Sequence, residues 1–257
     1  MPTLKVDDAH VEYRVEGAGR ALVLVHGVGP GSVIWDQTVA DFSDNSTVVL
    51  PDLSGGDRVA DDGGELTIEK LAAQLAAVIE DSGVAPVALL GFSLGAPVAA
   101  AVAASRPELV RQLILVAGFS HAQDEYLRNV MTVLKNLRGD AATFGRLGTL
   151  TAFSRGFLNS IGRDAVEEST RFLQPVPARL RQIELCLRLD VRDLLPRIQA
   201  ETLIIGTTLD ALIPMECSRE IHAAIPGSTY AEVASGHVIS AERPQEFRKL
   251  VRDFIDS

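Results

Sequence analysis

The sequence feature that most constrains the fold is the pentapeptide Gly91-Phe92-Ser93-Leu94-Gly95. It joins a short apolar run, residues 86–90, to an alanine-rich segment, residues 94–105, and so predicts a sharp turn from a strand into a helix. A serine on such a turn projects its hydroxyl out of the backbone, and the flanking glycines let neighbouring segments approach closely. Because Gly-x-Ser-x-Gly is a short pattern, the rest of the chain has to show whether Ser93 is a nucleophile.

A nucleophilic serine needs two partners elsewhere in the chain. Its hydroxyl reacts poorly until a base removes the proton and a third group orients that base. Asp210 follows the apolar run 202–206, and His237 follows a predicted strand, residues 229–233. The order Ser, Asp, His along the chain is typical of one class of hydrolases, so Ser93, Asp210 and His237 are the candidate catalytic residues.

Two upstream segments complete a family resemblance. Residues 23–31 read Val-Leu-Val-His-Gly-Val-Gly-Pro-Gly, and Asp52 lies in Pro-Asp-Leu-Ser-Gly. With these segments and the three candidate residues in this order, the chain resembles the α/β-hydrolase fold family over nearly its whole length. The resemblance implies an oxyanion hole formed by the backbone N–H groups of Val28 and Leu94.

Several of these side chains also have structural alternatives. Asp210 could cap the helix that follows it, a common role of aspartate, and Asp124 or Glu216 would then be the nearest acidic substitutes. We expect His26 to shape the oxyanion loop rather than to act as a second base. Trp35 is expected in the core or in the wall of a pocket.

Charge and composition exclude several classes of protein. The 257 residues carry a formal net charge of −10, which argues against nucleic acid or an anionic membrane as a partner. No apolar stretch approaches the roughly 18 residues of a membrane span, and residues 1–5 lack the features of a signal peptide, so a cytoplasmic protein is expected. Cys186 and Cys217 are expected to be free thiols, and the sequence shows no metal-ligand spacing and implies no cofactor. It leaves open whether the chain forms a homo-oligomer.

Runs of valine, leucine and isoleucine alternate with helical patterns along most of the chain. Such runs are typical of parallel strands covered on both faces, whereas the first two strands are more polar and suit an antiparallel edge. The sequence therefore predicts a doubly wound, mostly parallel eight-stranded sheet of the α/β class. The predicted strands are residues 3–6, 11–15, 21–26, 47–50, 86–90, 113–116, 202–205 and 229–233. The predicted helices between them are residues 33–42, 67–81, 94–105, 216–224 and 244–255.

The alternation stops between residue 118 and about residue 195. This stretch has no strand pattern, only amphipathic helical patterns separated by glycine and proline. By resemblance to the family, residues 121–195 are expected to form a helical cap, inserted before the strand that leads to Asp210. Residues 1–120 and 196–257 would then form the hydrolase core, and the cap would not be an independent domain. The predicted cap helices are residues 124–137, 141–158, 164–172 and 178–189.

The resemblance implies a hydrolase, and residue 93 narrows its chemistry. Serine there disfavours dehalogenase and epoxide hydrolase activity, which need a carboxylate to form an ester intermediate. The expected function is hydrolysis of a carboxylic ester or lactone of a hydrophobic small molecule, through a Ser93 acyl-enzyme with His237 as the base and Asp210 orienting it. The side chains expected to contact the substrate are Trp35, Phe153 and Phe157.

Other functions stay open at this point. The loop 26–31 with Trp35 after it resembles the C–C hydrolases of meta-cleavage products, although His237 is not followed by their usual tryptophan. Thioester cleavage is a related alternative. A different class is a ligand-sensing receptor of the same fold, which would turn over its ligand once or very slowly.

Overall fold

An eight-stranded sheet runs through the centre of the molecule, which a computed structural model describes for residues 1–257. In space the strands follow the order β1-β2-β4-β3-β5-β6-β7-β8. Strand β2 pairs antiparallel with both β1 and β4, and all other pairs are parallel. The predicted fold class and the antiparallel edge are therefore confirmed. The strands are β1 Thr3–Val6, β2 Ala9–Glu16, β3 Arg20–Val25, β4 Ser46–Pro51, β5 Val87–Phe92, β6 Val110–Val116, β7 Glu201–Thr207 and β8 Thr229–Val233.

Helices cover both faces of the sheet, which explains why its central strands are apolar throughout. In β3, Val23 and Val25 join a cluster of 46 buried residues on one face, whereas Leu22 and Leu24 join a cluster of 19 on the other. Successive side chains of a strand point to opposite faces, so a strand buried on both sides has to be apolar at every position. Outside the segment between β6 and β7, the helices are α1 Ile68–Asp81, α2 Gly95–Ser105, α7 Met215–Ala224, α8 Ile239–Glu242 and α9 Pro244–Ile255.

The helix predicted for residues 33–42 is wrong. The structure has two short 3₁₀ turns there, Ser32–Trp35 and Val39–Asp41. Trp35, Val39 and Phe42 are all buried against the sheet. Their spacing in the sequence matches that of side chains on one face of a helix. The apolar pattern alone does not distinguish one helix from two turns that pack the same side chains.

Residues 121–195, here called the insertion, leave the sheet after β6 and return before β7. Its helices are α3 Glu125–Asn136, α4 Ala141–Ala152, α5 Arg155–Phe172 and α6 Pro177–Cys186. An isolated antiparallel bridge between His121 and Asp190 closes its base, where Ala122 N–H also donates to the Leu189 carbonyl at 3.0 Å. The insertion is helical, as predicted. None of the helices of the protein is both long and apolar enough to cross a membrane.

The helix boundaries within the insertion differ from the prediction. A single helix over residues 141–158 was expected, but Phe153 is extended and Ser154 starts α5 by accepting a hydrogen bond from Phe157 N–H at 3.2 Å. Serine is a strong N-cap residue, so this local bond favours a new helix over continuation of α4. Gly162, with a φ of 81°, then breaks the regular geometry inside α5.

Glycines at two positions in the insertion give a test of its packing. A methyl group at Gly145 would lie 1.9 Å from the Thr170 carbonyl oxygen, whereas one at Gly156 would have no atom closer than 4.0 Å. Gly145→Ala should therefore lower the free energy of unfolding by about 1 to 3 kcal/mol, because α4 and α5 must separate. Gly156→Ala should raise it by up to about 1 kcal/mol, because alanine loses less backbone entropy in a helix.

Urea denaturation of the two variants and the parent measures both effects. Shifts of the same sign and size in the two variants would contradict the close approach of α4 to α5 at Gly145.

Candidate active site

Ser93 lies on a strained turn at the carboxyl end of the central strand β5. Its φ of 55° is in the left-handed region, which a residue other than glycine enters at a cost of about 1 to 3 kcal/mol. Ser93 N–H donates to the Val116 carbonyl at 3.0 Å, and the Ser93 carbonyl accepts from Ala96 N–H at 2.9 Å. The bonds on both sides hold the residue in this conformation between β5 and α2.

The turn fits only because the backbone beside it has no side chains. A Cβ atom added to Gly95 would lie 2.6 Å from the His26 carbonyl oxygen, and one added to Gly27 would lie 2.7 Å from the Ser93 Cβ. Real Cβ atoms do not approach other atoms so closely. The first turn of α2 and the loop after β3 therefore pack directly against the serine.

Asp210, in the loop after β7, uses all four acceptor positions of its buried carboxylate. Oδ1 accepts from the N–H groups of Leu212 at 2.8 Å and Ile213 at 2.9 Å. Oδ2 accepts from the Thr207 hydroxyl at 3.0 Å and from His237 Nδ1 at 2.7 Å. The Asp210 side chain has 0% exposure, so these partners replace water completely.

The alternatives considered for Asp210 have other places in the structure. Helix α7 begins after Pro214, which is its N-cap, so Asp210 does not cap that helix. Asp124 is the N-cap of α3 and accepts from Leu127 N–H, and Glu216 lies in the first turn of α7. The carboxylate that the fold brings to His237 is that of Asp210.

The ring of His237 is fixed on two sides. A carboxylate can only accept, so Nδ1 carries the proton that bonds Asp210. The ring also packs against Phe92 at a centroid distance of 4.8 Å. Nε2 has no hydrogen-bond partner in the protein, and His237 lines the same cavity as Ser93. This leaves a basic nitrogen free to accept a proton inside that cavity.

The backbone N–H groups of Val28 and Leu94 donate to no group within the protein. Val28 lines the cavity with Ser93, and Leu94 is the residue immediately after it. Leu94 is buried and Val28 is partly buried, and free amide donors at such positions are uncommon, because an unpaired N–H away from water costs free energy. Both amides are therefore available to a negatively charged oxygen near Ser93.

His26 has a structural position. Its Nδ1 lies 2.8 Å from the Gly27 carbonyl oxygen and its Nε2 accepts from Leu53 N–H at 3.0 Å, so both nitrogens are occupied by the backbone. Burial lowers the pKa of His26, which keeps the ring neutral and able to accept at Nε2. Asp52 holds the next part of this loop, because its carboxylate accepts from the N–H and hydroxyl groups of Ser32.

A cavity of about 520 Å³ lies between the sheet and the insertion, and 15 of its 24 lining residues are hydrophobic. Trp35 and Phe153 line it, as do Ser93 and His237. Phe157 does not line it, but stacks on Phe153 with ring centroids 5.3 Å apart. A surface groove of about 540 Å³ elsewhere has only two hydrophobic lining residues, and its charged side chains form ion pairs with one another or with nearby residues.

Two side chains that the sequence analysis did not single out hold the loops around Ser93. Gln182, from α6, accepts a hydrogen bond from Gly29 N–H at 3.0 Å. Glu242, in α8, accepts from both the N–H and the hydroxyl of Ser154, each at 2.7 Å. Both pairs are buried and join the insertion to the core. Because the partners are 153 and 88 residues apart, no local sequence signal identifies them.

The chain is similar to known proteins in sequence and in fold. A family model with the description alpha/beta hydrolase fold matches residues 20–244. The chain is 36% identical to pyrrolizixenacetamide deacetylase of Xenorhabdus hominickii, over 99% of this chain and 98% of that protein. It is 26% identical to 2-hydroxy-6-oxo-2,4-heptadienoate hydrolase of Pseudomonas putida, over 93% and 90%. The crystal structure of the enol-lactonase from Burkholderia xenovorans LB400 superimposes with a TM-score of 0.88 at 20% identity, covering 100% of both chains, which shows the shared fold.

The bond between Glu242 and Ser154 makes a prediction about stability. Glu242→Ala leaves two buried donors of Ser154 without an acceptor and should lower the free energy of unfolding by about 2 to 3 kcal/mol. Glu242→Gln should lose less, because it keeps one acceptor oxygen. Glu246→Ala, at an exposed position of α9, is the matched control, and urea denaturation compares the three variants. Equal losses in Glu242→Ala and Glu246→Ala would contradict this account.

Proposed function

The chain belongs to the α/β-hydrolase fold family, and on that premise we propose that it hydrolyses a carboxylic ester or lactone of a hydrophobic small molecule. The observation that carries this proposal is the 2.7 Å contact between His237 and Asp210, together with the position of His237 and Ser93 in the wall of one largely apolar cavity. A nucleophile, a base with a free nitrogen and an acid that orients the base are the components of acyl transfer through a covalent intermediate.

The proposed reaction begins at Ser93. Its Oγ attacks the acyl carbon while His237 Nε2 takes the hydroxyl proton, and Asp210 stabilises the resulting imidazolium. The tetrahedral intermediate collapses as the C–O bond to the leaving group breaks and His237 returns the proton to that oxygen. A water molecule, deprotonated by His237, then attacks the acyl carbon. The bond from that carbon to Ser93 Oγ breaks as His237 returns the proton to Oγ, which releases the acid and free Ser93.

The oxyanion that forms in each step needs fixed donors. We assign this role to the N–H groups of Val28 and Leu94, since neither has a partner within the protein. Losing one such donor typically costs about 2.7 to 4 kcal/mol of transition-state stabilisation. Gln182 supports this assignment from the insertion, because its bond to Gly29 N–H fixes the residue next to Val28.

We assign to the insertion the role of a cap over a core made of residues 1–120 and 196–257. The cap supplies Met131, Phe144 and Phe153 to the wall of the cavity, whereas the core supplies Trp35 and the reacting groups. Mostly apolar clefts with a few convergent polar groups are typical ligand sites. This composition favours hydrophobic substrates, each additional buried methylene adding up to about 0.8 kcal/mol of binding.

Amide hydrolysis is the second candidate, and one observation favours it. The relative with 36% identity over nearly the full length of both chains is named a deacetylase of an acetamide. The same groups would act on an amide, with His237 Nε2 protonating the leaving nitrogen instead of an oxygen.

Replacement of Ser93 tests the nucleophile. Ser93→Ala should lower kcat/KM by about 10⁴-fold or more, because neither the base nor the acid acts without it. Circular dichroism should show an intact fold, since the change removes only one oxygen. Ser160→Ala, an exposed serine of α5, is the control and should keep full activity. Undiminished hydrolysis by Ser93→Ala would exclude the proposed mechanism, and a single turnover by the parent would favour a receptor.

Matched esters and anilides of acetic and hexanoic acid separate the two candidate substrates. An esterase should hydrolyse phenyl hexanoate with the highest kcat/KM, ahead of phenyl acetate, because the longer chain fills more of the apolar cavity. The anilides should be slower than the corresponding esters. If kcat/KM for the anilides equals or exceeds that for the esters, amide hydrolysis is the function.

A further inference from the structure

We propose that the hydroxyl of Thr149 binds a neutral hydrogen-bonding group of the substrate away from the scissile bond. The ligand class is therefore a hydrophobic ester, lactone or amide that carries a second oxygen function, such as an ether, ketone or hydroxyl. This inference rests on the proposed function, because it takes the cavity beside Ser93 as the substrate site.

The first observation is that Thr149 does not make the bond to the preceding turn that several other hydroxyls of the insertion make. In helices, serine and threonine hydroxyls commonly donate to the carbonyl of the preceding turn. Thr132, Thr151 and Ser169 all do so here, to the carbonyls of Arg128 at 2.7 Å, Leu147 at 2.9 Å and Ala165 at 3.0 Å. The Thr149 hydroxyl makes no hydrogen bond within the protein, although Thr149 lies only two positions before Thr151 in α4.

The second observation is where that free hydroxyl lies. Thr149 is only 4% exposed and is one of the residues that line the cavity. The Thr149 hydroxyl oxygen is not among the buried polar atoms that lack both solvent contact and a partner, so it keeps some accessible surface on a residue that lines the cavity. A ligand that displaces water there leaves the hydroxyl unsatisfied unless the ligand offers a hydrogen bond of its own, at a cost of about 1 to 3 kcal/mol.

The surroundings determine the kind of group that fits. Thr149 belongs to the insertion, whereas the proposed mechanism already gives the reacting carbonyl and the leaving group partners in the amides of Val28 and Leu94 and in His237. We therefore assign Thr149 to another part of the ligand. Asp36 is the single acidic or basic residue, histidine aside, in the cavity wall, and it is paired with Arg14. A charged substituent would find no counter-ion, so a neutral group is favoured. A hydroxyl both donates and accepts, which admits ethers, ketones and alcohols.

The test uses butyl hexanoate and four analogues in which one ether oxygen replaces a methylene. Three analogues carry the oxygen at carbon 3, 4 or 5 of the acyl chain, and the fourth is 2-methoxyethyl hexanoate. The quantity is kcat/KM for each ether ester divided by kcat/KM for butyl hexanoate, measured by pH-stat titration. The ratio cancels any general loss of activity in a variant. The variants are Thr149→Val, Thr149→Ser, Thr151→Val and Ser240→Ala.

Thr149→Val should lower the ratio for at least one ether ester by about three- to tenfold, the fold-change expected from one hydrogen bond. Thr149→Ser should restore most of it. Thr151→Val should leave every ratio unchanged, because the hydroxyl of Thr151 is already bonded to the helix backbone. Unchanged ratios in Thr149→Val would overturn the proposal, and so would a change of the ratios in Thr151→Val. Ser240→Ala removes the other cavity hydroxyl that has no partner, apart from that of Ser93. A change of the ratios in Ser240→Ala alone would also overturn the proposal.

A binding experiment separates this proposal from the proposed function. Trp35 is the one tryptophan of the chain and lines the cavity, so its fluorescence reports binding of the same esters to Ser93→Ala. If the parent protein hydrolyses none of the esters, the ester assignment is wrong. The ratios of Kd in Ser93→Ala, with and without Thr149→Val, then decide the role of Thr149 independently.

Discussion

The close packing of the Ser93 turn against two glycine-containing segments is the constraint on which the rest of the site depends. Ser93 lies in the left-handed conformation, and the backbones of Gly27 and Gly95 pack so closely around its turn that neither residue could carry a Cβ atom. The same packing places the free amides of Val28 and Leu94 beside the serine. The sheet and α2 thus keep Ser93 in a conformation that costs about 1 to 3 kcal/mol, and in that conformation its hydroxyl lies at the edge of the cavity.

Parallel strands then bring distant residues to that edge. Strands β5, β7 and β8 run in the same direction, so the loops that follow them meet at the carboxyl end of the sheet. Those loops carry Ser93, Asp210 and His237. The insertion is bonded to the core near Val28, Asp210 and His237: Gln182 accepts from Gly29 N–H, Tyr126 OH donates to the Ala211 carbonyl, and Ser154 N–H donates to Glu242 in α8. A movement of the insertion would therefore also shift the loops that hold the reacting groups.

The sequence predicted those parts of the molecule that depend on local pattern. All eight strands were predicted from continuous aliphatic runs or, at the edge, from more polar ones. The helix predictions were wrong where a local cap or turn, which apolar spacing does not show, ended the helix, as at Ser154 and in residues 33–42. Glu242, Gln182 and Thr149 were not singled out because their importance depends on partners, or on the lack of one, that only the folded chain reveals. Phe157, which the sequence analysis expects to contact the substrate, stacks on Phe153 and does not itself line the cavity.

The most direct test of the central claim is covalent labelling of the protein with a fluorophosphonate, followed by peptide mapping by mass spectrometry. An activated serine attacks the phosphorus, loses its proton to the base and displaces fluoride, so labelling requires both nucleophile and base. The account predicts one adduct per chain, on the peptide that contains Ser93, and its loss in His237→Ala. No adduct, or an adduct on another residue with Ser93 unmodified, would contradict it.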